Sequence, residues 1–337
     1  MKKLIWILAI LVLSGMISSA LAEKTDTGNP RVFGRINATY MDETDGNDWH
    51  SYAKEVSFGV KGVYRLTDID GLTIPYKLEM EVTNAVNNTK GTNEIEIKYA
   101  TLALKTKYYG KFVIEPRGES GLQRQIYGPV DIFEIYEAHL KGGLFAQPDE
   151  ASGVMAYVSP KILGFNFIPA KLNLGEGSDD NNADPDAWCA RLVYSNKLGP
   201  GNLFAGIGYV AVTEEATGKD EEYTRKSAGL KYTWGAGHQI GTSLEDADDH
   251  PSGKEWETYG IAGRLKLPAN IDMGLGYYFQ EGDKENYAII GNLRYHLNKQ
   301  AYCYGEYGQF DKVLPSADIL GTYVALGITI NFISNPL

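Results

Sequence analysis

Apolar and polar residues alternate with a period of two along most of this chain. The segment YVALGITINF, from Tyr323 to Phe332, shows the alternation most clearly. Val, Leu, Ile and Phe occupy every second position, and smaller or more polar residues lie between them. Neighbouring side chains of a β-strand point to opposite faces of its sheet. The alternation therefore predicts a strand whose two faces meet two different environments.

Sixteen such segments are predicted along the chain. They lie near 31–41, 53–66, 73–83, 94–106, 110–117, 152–160, 164–174, 186–195, 202–213, 223–234, 237–245, 256–267, 270–280, 285–297, 300–310 and 320–332. Most have roughly the 9–11 residues that a tilted strand needs to cross a bilayer. Long helical patterns are absent, and Gly (38 residues) and Tyr (23 residues) are abundant. The sequence therefore predicts an all-β protein.

The connections between these segments alternate in length. Short turns such as TKYYG, GAG and PAN follow every second strand, whereas the other connections are longer and mostly acidic, as in GEGSDDNNADPD and EDADDHPSGKE. Barrels of the outer membrane have this asymmetry, with short periplasmic turns and long outer loops. The predicted fold class is therefore a transmembrane antiparallel up-and-down β-barrel of sixteen strands.

The two faces of the strands are predicted to meet lipid and water. A barrel of sixteen strands has a lumen too wide for side chains to fill, so the apolar face must look outward. In the first strand, Ile36 and Ala38 would then face lipid, while Arg35 and Asn37 face channel water. Tyrosines near strand ends are expected in aromatic girdles at the membrane surfaces. They are Tyr40, Tyr64, Tyr232, Tyr278 and Tyr295.

The first 22 residues have the three parts of a secretory signal peptide. A charged start is followed by a short apolar run, Leu4 to Met16, and then by Ala20-Leu21-Ala22, which is an A-x-A cleavage pattern. We expect cleavage before Glu23 and a single barrel domain over residues 23–337. No second apolar run approaches the roughly 20 residues of a transmembrane helix.

Charge and motif content exclude several function classes. The formal charge is −11, and it becomes −13 when Lys2 and Lys3 leave with the signal peptide. Nucleic acid is therefore not expected as a partner, because phosphate binding needs basic patches. No enzyme is predicted, since no G-x-S-x-G, H-E-x-x-H, C-x-x-C or P-loop signature occurs. Cys189 and Cys303 are expected to be buried free thiols, although export would also permit a disulfide between them.

Three stretches of the chain resemble the Gram-negative general porins. They are RVFGRINATYMDE, KYATLALKTKYYGKFVI and the terminal GTYVALGITINF. The resemblance implies a homotrimeric diffusion channel of the outer membrane, in contact with lipid and lipopolysaccharide, that passes small hydrophilic solutes. It also implies that the outer-membrane assembly machinery reads the last strand through its terminal aromatic, here Phe332 together with Ile330. Residues 333–337 follow this aromatic, and we expect their deletion to leave assembly intact.

The connection after the fifth strand, about residues 118–151, is the longest in the chain. It carries apolar and aromatic residues that a loop in solvent would not keep, so we expect it to fold inward and pack on the barrel wall. These residues are Ile126, Tyr127, Val130, Ile132, Phe133, Ile135 and Tyr136.

The resemblance further implies that acids of this loop oppose a basic wall across the channel. The matching acids are Glu119, Asp131, Glu134 and Glu137. Strand parity gives the basic candidates Arg31, Arg35, Lys61, Arg65, Lys77 and Arg117. Opposed charges across a narrow aqueous passage would create a transverse field that orients polar solutes and disfavours apolar ones.

Three functions remain open from the sequence. The first is a general diffusion porin, for which the negative charge predicts a cation preference. The second is a substrate-specific channel, although Phe33 and Tyr323 are too few inward aromatics to form a sugar path. The third is a non-conducting barrel for adhesion or anchoring. No cofactor or dedicated metal site is predicted, apart from divalent cations held loosely at the acidic outer loops.

Overall fold

The structure is a computed structural model that describes most of the strands and turns. The described residues are 27–43, 49–66, 71–83, 94–119, 124–137, 145, 150–173, 187–213, 223–248, 255–282, 285–311 and 321–334. The predicted signal peptide, residues 1–22, lies outside the described residues, as do large parts of the long acidic connections.

Sixteen strands form, one for each predicted segment. Their bounds are β1 Thr27–Glu43, β2 His50–Arg65, β3 Thr73–Thr83, β4 Glu94–Lys105, β5 Lys111–Glu119, β6 Glu150–Val158, β7 Phe165–Asn173, β8 Ala187–Leu198, β9 Gly201–Val212, β10 Tyr223–Trp234, β11 His238–Asp248, β12 Trp256–Leu267, β13 Ile271–Gly282, β14 Asn286–His296, β15 Ala301–Phe310 and β16 Thr322–Ile333. A short helix, α1 Arg124–Tyr127, lies between β5 and β6. In the described part of the chain, no helix is long and apolar enough to cross a membrane.

The strands close into one antiparallel barrel. Each strand pairs with its neighbours in the sequence, and β1 pairs with β16, so the sheet has no open edge. The last strand continues to Ile333, opposite Phe33, and the backbone N–H of Ser334 donates to the carbonyl oxygen of Val32 at 2.8 Å. A sheet that crosses a membrane must close in this way because lipid cannot satisfy free backbone groups. The predicted sixteen-stranded antiparallel barrel is confirmed.

The two ends of the barrel differ in most of their connections, as the sequence predicts. The connections after β2, β4, β6, β8, β10, β12 and β14 are tight and form what we call the short-turn end. The remaining connections form what we call the long-loop end; those after β3, β5, β7, β9 and β15 are longer, whereas 44–49, 249–255 and 283–285 are no longer than the tight turn 66–72. In the turn between β4 and β5, Gly110 has a φ of +82°, and a Cβ atom there would lie 2.2 Å from the carbonyl oxygen of Val158. Only glycine fits this turn without moving the chain.

Large apolar side chains cover the outside of the barrel. Ile207, Leu275 and Leu293 keep 58%, 64% and 55% of their surfaces exposed, whereas the inward-facing Thr258 and Asn292 are buried. A membrane barrel has this arrangement of an apolar outer band and a polar interior. The predicted assignment of the two faces is therefore confirmed.

One of the predicted girdle tyrosines points the other way. Tyr40 and Tyr295 are exposed on the outer face as expected, but Tyr278 is completely buried inside the barrel. Its hydroxyl donates to the carbonyl oxygen of Val130 at 2.5 Å. Consecutive residues of a strand face opposite sides, so of the pair Tyr277–Tyr278 only Tyr277 can reach the membrane.

The two cysteines are free and lie on strands that are not neighbours. Cys189 in β8 is buried and faces inward, and Cys303 in β15 is half-buried. β8 pairs with β7 and β9, whereas β15 pairs with β14 and β16. The expectation of two free thiols is confirmed, with the difference that Cys303 is less buried than predicted.

Candidate functional site

The long connection between β5 and β6 folds into the lumen, as its apolar content predicts. We call its described residues, 124–137 and 145, the inner loop. The side chains of Ile126, Tyr127, Val130 and Phe145 have no exposed surface, and Tyr136 keeps only 3%. They form a core with inward-facing residues of the barrel. The loop therefore supplies part of the apolar packing inside the barrel, beside a second buried cluster formed by strand residues alone.

Glycines of the wall allow the loop backbone to approach the sheet closely. A Cβ atom at Gly229 of β10 would lie 2.2 Å from the carbonyl oxygen of Ile126, and one at Gly241 of β11 would lie 2.3 Å from that of Pro129. Both distances are far below van der Waals contact, so larger residues would push the loop off the wall. The hydroxyl of Ser243 donates to the carbonyl oxygen of Ile126 at 2.8 Å.

A buried ion pair between β10 and β11 holds two residues of the inner loop, Tyr127 and Phe145. The Arg225 guanidinium lies 3.3 Å from the Glu245 carboxylate and donates to the carbonyl oxygen of Phe145 at 3.1 Å. The hydroxyl of Tyr127 donates to the same carboxylate. Burial raises the pKa of the Tyr127 hydroxyl well above 10, with a further contribution from Glu245, so this hydroxyl stays protonated and remains a donor.

The Glu306 carboxylate holds the middle of the loop through its backbone. It accepts hydrogen bonds from the backbone N–H groups of Glu134 (2.7 Å), Ile135 (2.9 Å) and Tyr136 (3.2 Å). The hydroxyl of Tyr323 donates to it at 2.8 Å. Three successive amide groups that point at one buried carboxylate fix the loop conformation, because leaving any of them unpaired would be costly.

Glu134, a predicted acid of the passage, is enclosed by basic residues of the wall. Its carboxylate lies 3.0 Å from Arg35 of β1 and 2.6 Å from Arg294 of β14, and it accepts a hydrogen bond from Tyr302 at 2.8 Å. Only 5% of its surface is exposed. Its charge is therefore largely compensated by the wall.

The other predicted acids occupy three different environments. The Glu137 carboxylate lies 3.0 Å from Lys54 of β2, which also donates to the carbonyl oxygen of Ile135. Asp131 faces the water-accessible space beside the loop. The backbone of Glu119 ends β5, but its side chain lies outside the described side chains.

Three of the six predicted basic residues line the lumen beside the loop. They are Arg35, Lys61 and Lys77. Arg31 of β1 lies opposite Lys61 of β2, and Arg65 is the last residue of β2, at the short-turn end. Arg117 on β5 pairs with Glu96 at 3.8 Å. The structure therefore brings half of the predicted wall to the inner loop and places the other half elsewhere on the barrel.

The space between the inner loop and the barrel wall, which we call the vestibule, has a volume of about 860 Å³. Among the described residues, five acids line it: Glu55, Glu79, Asp131, Glu134 and Glu137. Eight basic residues of the same described part line it: Arg35, Lys61, Lys77, Lys98, Lys231, Arg264, Arg294 and Lys299. The described lining therefore has more basic than acidic groups, although the whole chain is acidic.

Sequence reasoning missed four basic residues of the vestibule. Lys231, Arg264 and Arg294 come from β10, β12 and β14, and Lys299 comes from the turn after β14. The alternation of apolar and polar residues along β12 and β14 puts Arg264 and Arg294 on the inner face. It could not indicate that they lie at the depth of the loop, because that depth depends on contacts between distant segments.

The predicted assembly signal lies at the short-turn end of the closing strand. Ile330 and Phe332 point outward, with 42% and 40% of their surfaces exposed.

In the described part of the chain, no group of three or more His, Cys, Asp or Glu residues could hold a metal ion.

The amino-acid sequence matches a known protein family. The sequence profile of the Gram-negative porins matches residues 8–313. The chain belongs to the Gram-negative porins. This membership, together with the closed barrel, indicates an outer-membrane channel rather than an enzyme. No curated protein matches the sequence significantly.

Solved porins share the fold of this porin at low sequence identity. Salmonella typhi OmpF, in complex with daunomycin, has a TM-score of 0.70 at 14% identity, covering 90% of this chain and 98% of its own. An anion-selective porin from Comamonas acidovorans has a TM-score of 0.66 at 16% identity, covering 90% of this chain and all of its own. The trimer form of Vibrio cholerae OmpT has a TM-score of 0.63 at 17% identity, covering 92% and 100%.

Proposed function

We propose that this porin is a channel for the passive diffusion of small hydrophilic solutes and ions. The observation that carries the proposal is the vestibule, a water-accessible space of about 860 Å³ whose lining is dominated by charged side chains. An interior of this kind favours water and polar solutes over apolar ones. The contacts that hold the inner loop against the wall support a passage of constant width.

The charge of the vestibule supports a preference for anions. The negative charge of the whole chain predicts a cation preference of the channel. That preference stays a prediction, because the long acidic connections that would cause it lie mostly outside the described residues. Charges nearest the narrow section affect permeating ions most, since exposed charges beyond about 10 Å are largely screened at 0.1 M salt. Eight basic and five acidic residues of the described chain line the vestibule, so we propose that anions pass more readily.

We also propose that the channel is a homotrimer surrounded by lipid and lipopolysaccharide, as the trimer form of Vibrio cholerae OmpT suggests. The short-turn end would face the periplasm, in keeping with other barrels of the outer membrane. Delivery to the membrane would use the predicted signal peptide and the assembly machinery that reads the closing strand.

The experiment is a reversal-potential measurement in a planar bilayer under a tenfold KCl gradient. The expected result is a stepwise conductance whose reversal potential has the sign of chloride preference. A potassium preference would show that the outer acidic loops control selectivity and would overturn the anion proposal. The absence of any conductance from folded, reconstituted protein would overturn the channel function itself and favour an anchoring barrel.

A further inference from the structure

The vestibule has two basic walls that lie next to each other around the closed barrel. One wall, on β1 to β4, carries Arg35, Lys61, Lys77 and Lys98. The other, on β10 to β14 and the turn that follows, carries Lys231, Arg264, Arg294 and Lys299. Only β15 and β16 separate the two walls, and Arg35 and Arg294 both contact Glu134. A solute that crosses the vestibule therefore passes a broad basic surface that spans both walls.

The acids of the vestibule are mostly compensated by direct ion pairs. Glu134 lies between Arg35 and Arg294, and the Glu137 carboxylate lies 3.0 Å from Lys54. The remaining pairs are Glu55 with Arg35 and Lys98, both at 3.2 Å, and Glu79 with Lys77 at 2.5 Å. These carboxylates leave the other basic residues of the vestibule without a partner of opposite charge.

Four basic residues of the vestibule have no carboxylate within ion-pair distance in the described part of the chain: Lys61, Lys231, Arg264 and Lys299. Two of them lie over aromatic rings instead. The Lys61 ammonium is 4.8 Å from the ring centre of Phe33, and the Lys231 ammonium is 5.9 Å from that of Phe204. A ring face orients a cation without cancelling its charge. These ammonium groups are therefore held in place and remain available to an anion.

Arg264 and Arg294 form a fixed pair of guanidinium groups on the wall formed by β10 to β14. Both donate to the carbonyl oxygen of Ile132 in the inner loop, Arg294 at 2.6 Å. Glu134 compensates Arg294, but the charge of Arg264 is left over. Two guanidinium groups held side by side repel each other, and an anion bound beside them would relieve that repulsion. Guanidinium is also the side-chain group best suited to carboxylate and phosphate oxygens.

Building on the proposed channel function, we propose that the vestibule is a binding site for small polyanions, with Arg264 as its centre. One anionic group of the solute, a carboxylate or a phosphate, binds Arg264 beside Arg294. A second group on the same solute binds Lys231 or Lys299 on the same wall, or Lys61 on the other. A neutral or singly charged solute of the same size makes only one of these contacts or none, and it passes without a pause.

The test is solute block of single-channel current through the reconstituted porin. Citrate and pyrophosphate serve as the carboxylate and phosphate probes, with acetate and glucose as the singly charged and neutral comparisons. The expected result is concentration-dependent interruption of the current by citrate, pyrophosphate or both, and none by acetate or glucose at the same concentration. Block by only one of the two polyanions identifies the anionic group that the site prefers.

The variant Arg264→Gln removes the unpaired charge and keeps an amide donor for the Ile132 carbonyl. The concentration of polyanion for half-maximal block is expected to rise about tenfold, in line with the loss of one charge-assisted hydrogen bond. Lys266→Gln is the matched control, because Lys266 lies two residues away on the same face of β12 but is paired with Asp272. If Arg264→Gln fails to assemble, Lys231→Gln replaces it, since in the described part of the chain Lys231 lies over the ring of Phe204 and makes no hydrogen bond to the loop backbone.

The outcomes separate this proposal from the channel function. A porin that conducts but shows no polyanion block in the wild type has no such site, and the channel function stands. Equal changes in half-block for Arg264→Gln and Lys266→Gln would mean that net charge alone acts, which also overturns the site. A protein that does not conduct would overturn the channel function, and with it the binding site proposed within the channel.

Discussion

Glu306 is the single residue on which the conformation of the inner loop depends most. Its carboxylate binds three successive backbone N–H groups, those of Glu134, Ile135 and Tyr136, and it is almost completely buried. Glu306→Gln leaves one carbonyl oxygen for these donors and turns the other oxygen into a donor. We expect a loss of about 1–3 kcal/mol in the free energy of unfolding, because buried donors are left unpaired.

Thermal unfolding and current noise would measure this effect. Glu306→Gln is expected to lower the melting temperature and to add conductance flickering as the loop detaches from the wall. Tyr323→Phe is the control, since it removes one hydrogen bond to Glu306 and leaves the three backbone contacts in place. A quiet channel with unchanged stability in Glu306→Gln would contradict the anchoring role.

Gly229 is the second residue whose identity the loop dictates. A methyl group at this position would lie 2.2 Å from the Ile126 carbonyl oxygen, whereas at Gly291, on the lipid face, the nearest atom is 4.0 Å away. We expect Gly229→Ala to destabilise the barrel by roughly 1–3 kcal/mol through overpacking, and Gly291→Ala to be nearly neutral. Melting temperatures of the two purified variants would check this, and equal melting temperatures would show that the loop yields without cost.

At the residue scale, the sequence indicates the face of a side chain but not its partner. Glu134 could be expected on the inner loop from its position in the chain. That it would lie between Arg35 and Arg294 depends on two strands at the two ends of the sequence and on the depth of the loop. Hydrophobic alternation contains neither piece of information, and this is also why Arg264 and Lys231 were missed.

At the scale of elements, the closing strand extends further than its terminal aromatic. Ile333 continues the ladder with β1, the backbone N–H of Ser334 donates to the Val32 carbonyl, and the Val32 N–H donates to the Ser334 hydroxyl at 3.0 Å. The sequence predicts that deletion of 333–337 leaves assembly intact. Loss of these two hydrogen bonds should lower the free energy of unfolding of the truncated barrel by about 1–2 kcal/mol, although the barrel should still assemble.

Two truncations test this refinement. A chain that ends at Phe332 lacks both hydrogen bonds, and a chain that ends at Ser334 keeps them, so only the first is expected to melt at a lower temperature. Phe332→Asp is expected to impair assembly in either background, because it places a charge on the outward face of the strand. Normal assembly of Phe332→Asp would argue against a role for the terminal aromatic.

The elements themselves were predictable because a membrane barrel forces two regularities on its sequence. Side chains must alternate between lipid and water, and connections must alternate between short and long. All sixteen strands follow from these two rules. The inward fold of the loop also followed from its apolar residues, whereas its fit against Gly229 and Gly241 required the three-dimensional arrangement.

At the scale of the whole molecule, the outer surface bears on the proposed trimer. The outward face of β1 carries the small residues Gly34 and Ala38, which lie opposite Phe332 and Ile328 of β16 across the closing junction. Ala228 has the same size and also faces outward, but it lies on β10, far from that junction. If β1 and β16 form the subunit contact, only the first of these surfaces is covered by a neighbouring protomer.

The substitutions Ala38→Trp and Ala228→Trp distinguish the two surfaces. Tryptophan is tolerated on a face that meets lipid, whereas in a close-packed contact it forces the protomers apart. We expect Ala38→Trp to shift the native mass from trimer toward monomer and to replace threefold conductance steps by single ones. Ala228→Trp should leave both readouts unchanged. A trimer that withstands Ala38→Trp would place the subunit contact on other strands, and a monomeric wild type would remove the trimer proposal altogether.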